Sequence, residues 1–154
     1  HGKPSVLGIV TGMVAGLGTI TPASGYVGPL GALVIGASAG VVCFFATLFI
    51  KRRLKIDDSL DVFPVHGVGG IIGTLLTGVF AASALGGVGY ADGVTMGKQV
   101  MTQLTGVAVT IVWSGGLTFI LLKLIDAVIG LRVTAEQETE GLDLTQHDET
   151  GYNL

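Results

Sequence analysis

Residues 4–50, PSVLGIVTGMVAGLGTITPASGYVGPLGALVIGASAGVVCFFATLFI, contain no Asp, Glu, Lys or Arg, and this stretch decides the fold class. Residues 62–91 and 99–122 are uncharged as well. Because a helix needs about 20 apolar residues to cross the hydrocarbon core of a bilayer, the first stretch can hold two crossings and each of the others one. Only 12% of the chain is charged, about half the fraction usual in soluble domains, and a soluble protein of this size has too little core to bury so much apolar surface. The composition therefore predicts an integral membrane protein.

The spans are predicted to be helices, because a bilayer leaves only helices and closed barrels open to the chain, and the alternation that a barrel strand needs is absent. We predict an all-α, polytopic membrane helix bundle in residues 1–129, with spans at about 6–26, 30–49, 61–81 and 99–128, and a polar tail in residues 130–154. Glycines spaced four apart favour close packing of helices in membranes. Such glycines are Gly8, Gly12 and Gly16, then Gly36 and Gly40, then Gly69 and Gly73.

The basic residues predict the orientation of the bundle, since Lys and Arg concentrate in short cytoplasmic loops. With four alternating crossings, all but one of the Lys and Arg residues that flank the spans fall on one side. These are Lys3, Lys51, Arg52, Arg53, Lys55, Lys123 and Arg132, with Lys98 alone on the opposite side. We therefore expect both the start of the chain and its tail to be cytoplasmic.

His66 is the leading candidate for chemistry. An ionisable group at membrane depth is costly and usually faces a bundle interior or a water path. A neutral imidazole there can accept or relay a proton in a narrow pore. The alternative is a histidine that bonds a carbonyl of a neighbouring helix and only joins the bundle together.

Other polar groups near the span ends are weaker candidates. Asp61 is predicted to cap the third span and could also attract cations at a cytoplasmic mouth, whereas Asp57 and Asp58 are expected to be solvated loop residues. Thr21, directly before Pro22, could bond a bent backbone or line a polar route. Pro64 costs little if it lies in the first turn of the third span.

Several functional classes have no support in the sequence. The spacings of metal ligands, of a phosphate-binding loop and of an activated nucleophile are all absent, so we predict a protein that is not an enzyme and has neither metal nor cofactor. No basic surface suited to nucleic acid remains once the loops are accounted for. Cys43, the single cysteine, is expected to be a small buried apolar side chain.

The segment around His66, DVFPVHGVGG at residues 61–70, closely resembles the late histidine motif of the Amt/Mep/Rh ammonium transporter family. Further matches to the bacterial AmtB-like branch follow in order along almost the whole chain. They are TPASGY at 21–26, GGVGY at 86–90, IVWSG at 111–115, GLRV at 130–133 and EGLD at 140–143.

This resemblance implies eleven membrane helices, built as an inverted repeat of five and five with a final long helix, in a homotrimer with one pore per subunit. The four spans here would be the last four, and His66 would be the second member of a twin-histidine pair in the pore. Val62, one turn before His66, is expected to line the same path. Since four helices cannot enclose such a pore, and the chain begins HGKP, we expect these residues to follow an N-terminal part, either on the same polypeptide or as a separate piece.

The acidic tail is either a solvated end or an ordered regulatory segment. In the proteins it resembles, a PII-type signalling protein (GlnK) can dock at the cytoplasmic face, and Gly141, Asp143 and Tyr152 are the candidate residues for this role. The leading hypothesis for the whole is a channel or transporter for ammonium and ammonia in the cytoplasmic (inner) membrane. The alternatives are an ammonium sensor and a structural helix bundle with no transport role.

Overall fold

A computed structural model describes residues 5–151, and all the regular secondary structure in this part of the chain is helical. The helices are α1 (Val6–Ile20), α2 (Pro29–Leu48), α3 (Gly69–Phe80), α4 (Met96–Ile129), α5 (Ala135–Glu140) and α6 (Leu142–His147). π-helical segments extend the end of α2 (Phe49–Leu54) and the start of α3 (Phe63–Val68), while 3₁₀ turns follow α1 (Thr21–Ala23) and α3 (Ser83–Leu85). Four of these helices, counted with their extensions, are long and apolar enough to cross a membrane. The predicted all-α membrane bundle is confirmed.

The first helix ends earlier than residue 26, where the sequence predicted the end of the span. Pro22 has no backbone N–H to donate, and the chain tightens into the 3₁₀ turn Thr21–Ala23 at this point. The Thr21 hydroxyl donates a hydrogen bond to the carbonyl of Leu17, 2.7 Å away. Gly25 then takes a left-handed conformation with φ +82°, so the chain reverses before α2 begins at Pro29.

The second helix extends further than predicted, through the basic run. Residues 51–53 continue it as part of the π-helical segment Phe49–Leu54, because Lys and Arg are good helix formers. Lys55, at φ +53°, ends the helix by adopting the left-handed conformation that commonly follows a helix C-terminus.

Helices α1, α2 and α3 share a core in which Ala15, Cys43 and Val65 are buried together. Thr19 of α1 packs directly against the glycines of α3. A Cβ on Gly73 would lie 1.9 Å from the Thr19 carbonyl oxygen, and a Cβ on Gly69 would lie 2.6 Å from the Thr19 Oγ1. The predicted close approach at this glycine pair is therefore confirmed, since any side chain would force the two helices apart.

The other glycine rows do not pack in this way within the described chain. A Cβ on Gly12, Gly16, Gly36 or Gly40 would meet no atom within 4 Å. Of the predicted rows, only the pair Gly69 and Gly73 packs closely against another helix within the described residues.

The loop between α3 and α4 is fastened to the preceding helices. The Tyr90 hydroxyl donates to the carbonyls of Gly78 and Val79, at 2.7 and 3.0 Å, which belong to the last turn of α3. The backbone N–H of Val88 donates to the Tyr26 carbonyl at 3.1 Å, so this loop also holds the turn between α1 and α2.

Two compact units divide the chain between Thr110 and Ile111, within α4. The first holds the three-helix core and the beginning of α4. The second holds the rest of α4, whose residues are all exposed, together with α5 and α6.

Candidate functional site

His66 lies in the π-helical segment Phe63–Val68, opposite Gly18 of α1. A Cβ on Gly18 would stand 3.6 Å from Nδ1 of the His66 ring and 3.8 Å from the Val65 carbonyl oxygen. The His66 side chain is exposed and makes no hydrogen bond to any residue in the range 5–151. The alternative of a histidine satisfied by a neighbouring carbonyl is therefore not observed among these residues. π-helical turns occur frequently at functional sites, and here one carries the only titratable side chain of the membrane-length helix Phe63–Phe80.

The start of this helix is capped by Asp58, and the prediction that Asp61 is the cap is wrong. The two carboxylate oxygens of Asp58 accept hydrogen bonds from the backbone N–H groups of Val62 and Phe63, at 2.9 and 2.8 Å. The expectation that Asp58 is a free loop residue is wrong for the same reason. A helix leaves its first N–H groups without partners, and Pro64, in the first turn, has no N–H that would need one.

Asp61 instead pairs with a cation from the preceding helix. Its Oδ1 lies 2.7 Å from the Lys51 Nζ, and the two side chains are 19% and 37% exposed. Asp61 cannot also cap the helix, because it takes a left-handed backbone conformation with φ +56° that turns its side chain towards α2. Five residues before His66, the chain therefore carries a carboxylate whose charge is compensated by Lys51.

Val62 and Thr21 were the other predicted path residues. Val62 is 52% exposed and lies four residues before His66 in the same helix. Thr21 lies three residues after Gly18, so the two share a face of the helical chain, and its hydroxyl is engaged with Leu17. The structure thus places Val62 and His66 near the start of one helix, with Gly18 of α1 opposite His66. Thr21 lies in the 3₁₀ turn that follows α1.

The tail, described up to residue 151, is helical rather than extended. Thr134 and Gln137 form a capping box at the start of α5, in which each side chain bonds the other residue's backbone N–H. Arg132 donates to both carboxylate oxygens of Glu138, with Nη2 3.0 Å from Oε2. This hydrogen-bonded guanidinium lowers the pKa of Glu138. The hydrogen bond that Glu136 accepts from its own backbone N–H, with a second from Thr134, lowers the pKa of Glu136.

Gly141 joins α5 to α6 with φ +112°, a conformation that suits only glycine. A Cβ there would lie 2.7 Å from Oδ1 of Asp143, so these two predicted regulatory residues are in direct proximity. Tyr152, the third, lies outside the described residues.

The profile of the Ammonium Transporter Family matches residues 1–152. The chain belongs to the ammonium transporter family. It is 48% identical to an ammonium transporter of Aquifex aeolicus, over 99% of this chain and 36% of that protein. It is 46% identical to the ammonium transporter Amt1 of Archaeoglobus fulgidus, over 98% of this chain and 38% of that protein.

Two solved structures of ammonium transporter relatives share the fold. A protein titled Sensor Amt Protein superposes with a TM-score of 0.83 at 36% identity, covering 94% of this chain and 35% of that one. The Mep2 structure of Saccharomyces cerevisiae gives a TM-score of 0.73 at 38% identity, covering 88% and 32%. This chain spans about a third of the length of the relatives it matches. With its four membrane-length helices, it belongs to a multi-pass membrane protein.

Sequence reasoning missed three residues at the candidate site of this ammonium transporter family member. Gly18 falls outside the rows of glycines spaced four apart, Thr19 is a single polar residue in an apolar run, and Lys51 was assigned only to membrane orientation. The one available signal was the position of Gly18 and Thr19 directly before the matched segment at residues 21–26.

Proposed function

We propose that this chain forms part of a channel or transporter that conducts ammonium or ammonia across the cytoplasmic membrane, with His66 in its path. The proposal depends on the His66 ring, which lies beside Gly18 in a membrane-length helix and has no hydrogen-bond partner among residues 5–151. The chain that carries it belongs to the ammonium transporter family. A histidine that only stabilised the bundle would be expected to have a hydrogen-bond partner within it.

The chemistry of the imidazole suits this substrate. A dry apolar path strongly penalises any bare ion, whereas a neutral imidazole can accept a hydrogen bond from NH4+ and take up its proton. K+ is close to NH4+ in size but has no proton to give, so a path that requires proton transfer rejects it. His66 would then supply selectivity that pore diameter alone does not.

We assign a separate role to each of the residues Val62, Thr21 and Asp61. Val62, exposed on the same helix, contributes apolar wall. Thr21 offers its hydroxyl oxygen as an acceptor on the opposite side, since the hydroxyl proton is committed to Leu17. Asp61 lies at the mouth, where Lys51 compensates its charge, so that the mouth attracts cations less strongly than a free carboxylate would.

The assembly we propose is larger than this chain. The face with His66 and Val62 is exposed here, and the relatives are almost three times as long. Further helices would cover this face and complete the pore, with a second histidine as the partner of His66. A homotrimer would then bury the exposed residues of α4.

The tail is proposed to lie on the cytoplasmic side, in agreement with the Lys and Arg distribution, and to receive a PII-type regulator (GlnK). The capping box and the bond between Arg132 and Glu138 support a segment that keeps its helical form and so presents a defined surface. Gly141, Asp143 and Tyr152 are the residues that we assign to this contact.

A second candidate function is sensing of ammonium without transport. It is favoured by the structural likeness to the Sensor Amt Protein at a TM-score of 0.83. A sensor would bind ammonium at the same face but would carry no flux.

Flux through the complete natural polypeptide, purified and placed in liposomes, tests the proposal. His66→Ala should lower or redirect ammonium-driven flux while the assembly keeps its size and melting temperature. His147→Ala, a change of another exposed histidine outside the spans, is the matched control and should leave flux unchanged. Ammonium binding without flux in the unmodified protein would establish the sensor instead, and a loss of assembly in His66→Ala with unchanged flux per assembled particle would favour the structural role.

A further inference from the structure

The contact between Gly18 and the His66 ring carries an inference that rests on the proposed function and deepens it. Helix α1 crosses α3 where Thr19 lies against Gly69 and Gly73. A Cβ on Gly73 would lie 1.9 Å from the Thr19 carbonyl oxygen, and a Cβ on Gly69 would lie 2.6 Å from the Thr19 hydroxyl oxygen. Because Thr19 is completely buried, this crossing has little freedom to slide or to widen.

The fixed crossing determines what His66 faces. Gly69 lies three residues after His66, and Gly18 directly precedes Thr19, so the contact that sets the helix crossing also sets the Gly18 backbone beside the ring. The distance of 3.6 Å from a Gly18 Cβ position to Nδ1 is an ordinary van der Waals contact. A methyl group would therefore fit here without moving the helices, but it would occupy this side of the nitrogen.

Access to the Nδ1 atom of His66 matters because this nitrogen can form a hydrogen bond. A hydrogen-bond partner must approach a ring nitrogen to about 2.7–3.2 Å. Within residues 5–151 nothing bonds this nitrogen, and the absence of a side chain at residue 18 leaves it approachable along α1.

We propose that Gly18 is a positioning residue for conduction: its missing side chain keeps the Nδ1 edge of His66 open to the second histidine of the proposed pore. The property that matters is the empty volume beside the nitrogen, not the flexibility of glycine, because residue 18 lies inside an α-helix without a left-handed φ. Variants with another residue at position 18 should therefore fold normally and conduct less ammonium.

The test uses the complete natural polypeptide in liposomes, with ammonium-driven flux and melting temperature measured for each variant. Gly18→Ala should lower flux several-fold, and Gly18→Val by about tenfold or more, since displacing a reacting group by ~1 Å can cost about a hundredfold. Gly12→Ala, on the same helix with nothing within 4 Å, is the matched control and should conduct as the unmodified protein does. Gly73→Ala should instead lose stability, which identifies damage to the helix crossing.

The ¹⁵N chemical shift of the His66 ring distinguishes a positioning role of Gly18 from a general structural effect of the substitution. The ¹⁵N resonance of Nδ1 of His66, assigned by its loss in His66→Asn, should shift in Gly18→Ala and stay unchanged in Gly12→Ala. Unchanged flux in Gly18→Ala, or reduced flux with an unshifted resonance, would overturn the role of Gly18 while leaving His66 in its place. Unchanged flux in His66→Asn and His66→Ala would remove the proposed function itself, and the inference with it.

Discussion

Lys51 and Asp61 form an ion pair, 2.7 Å between Nζ and Oδ1, that joins the end of one membrane-length helix to the start of the next. The pair closes the loop that contains Lys55 and Asp58. Its acidic member, Asp61, lies five residues before His66. The geometry of this loop therefore sets where the helix that carries the imidazole begins.

Asp61→Asn should destabilise the protein by roughly 1 kcal/mol, because the pair is partly exposed and such pairs are worth little more. Asp61→Ala should cost about 1 kcal/mol more than Asp61→Asn, since Asn tolerates the left-handed backbone at φ +56° and Ala does not. Melting temperatures of the complete protein in detergent measure both effects. Equal losses in the two variants would show that the backbone conformation of Asp61 is not strained.

Asp58→Ala should cost about 0.5–2 kcal/mol, the usual loss for a helix cap, and should increase hydrogen exchange at Val62 and Phe63, whose N–H groups the carboxylate accepts from. Asp57→Ala is the matched control, because among residues 5–151 the Asp57 carboxylate accepts a hydrogen bond only from the nearby Ser59 hydroxyl. A larger loss of stability in Asp57→Ala than in Asp58→Ala would show that Asp57, and not Asp58, caps the helix.

Gly73→Ala should destabilise the bundle by about 1–3 kcal/mol, the cost of overpacking a tight site. The added methyl would fall 1.9 Å from a backbone oxygen, which cannot rotate away. Gly70→Ala places the same methyl where nothing lies within 4 Å, and it should melt at or above the temperature of the unmodified protein. Similar melting temperatures for the two variants would contradict the observed crossing of α1 and α3.

Tyr90→Phe should cost about 1 kcal/mol, since it removes one hydroxyl that bonds the Gly78 and Val79 carbonyls. The ring stays in place, so only the hydrogen bonds are tested. Hydrogen exchange in the last turn of α3 should rise, while exchange around His66, at the other end of that helix, stays the same. A rise at both ends would mean that the loop controls the whole helix.

The helical order of the tail should depend on pH. The pKa of Glu138 is lowered by the Arg132 hydrogen bond, and a carboxyl whose folded pKa lies below its unfolded pKa stabilises the fold above the unfolded pKa. This contribution is present at neutral pH and is lost as the pH falls below the ordinary range of a Glu carboxyl towards the lowered pKa. Hydrogen exchange in α5 as a function of pH measures it, and Glu138→Gln should abolish that part of the pH dependence.

The existence of four membrane-length helices followed from the uncharged stretches alone, because a bilayer leaves the chain few other structures. The packing of Gly69 and Gly73 agrees with their spacing, but Gly36 and Gly40 have the same spacing and meet nothing within 4 Å, so the spacing alone does not tell which pair packs. The exchange of roles between Asp58 and Asp61 did not, since the cap depends on the left-handed turn at Asp61, which sequence patterns do not specify. Gly18 was missed because a contact between two helices depends on their crossing angle, which a single sequence does not give.

The wide turn at Phe63–Val68 has a consequence for how this segment tolerates change in length. Deleting one residue from this turn would let an ordinary α-helix run through it. The helical segments on its two sides would keep nearly the same relative orientation, because a π-helical turn holds about one residue more than an α-helical turn. The side chains inside the turn, His66 among them, would change direction relative to those segments. The imidazole would then point along a different radius of the bundle although every residue type around it stayed the same. The number of residues between the acidic loop and Gly69, and not only their identity, therefore sets the direction in which His66 points.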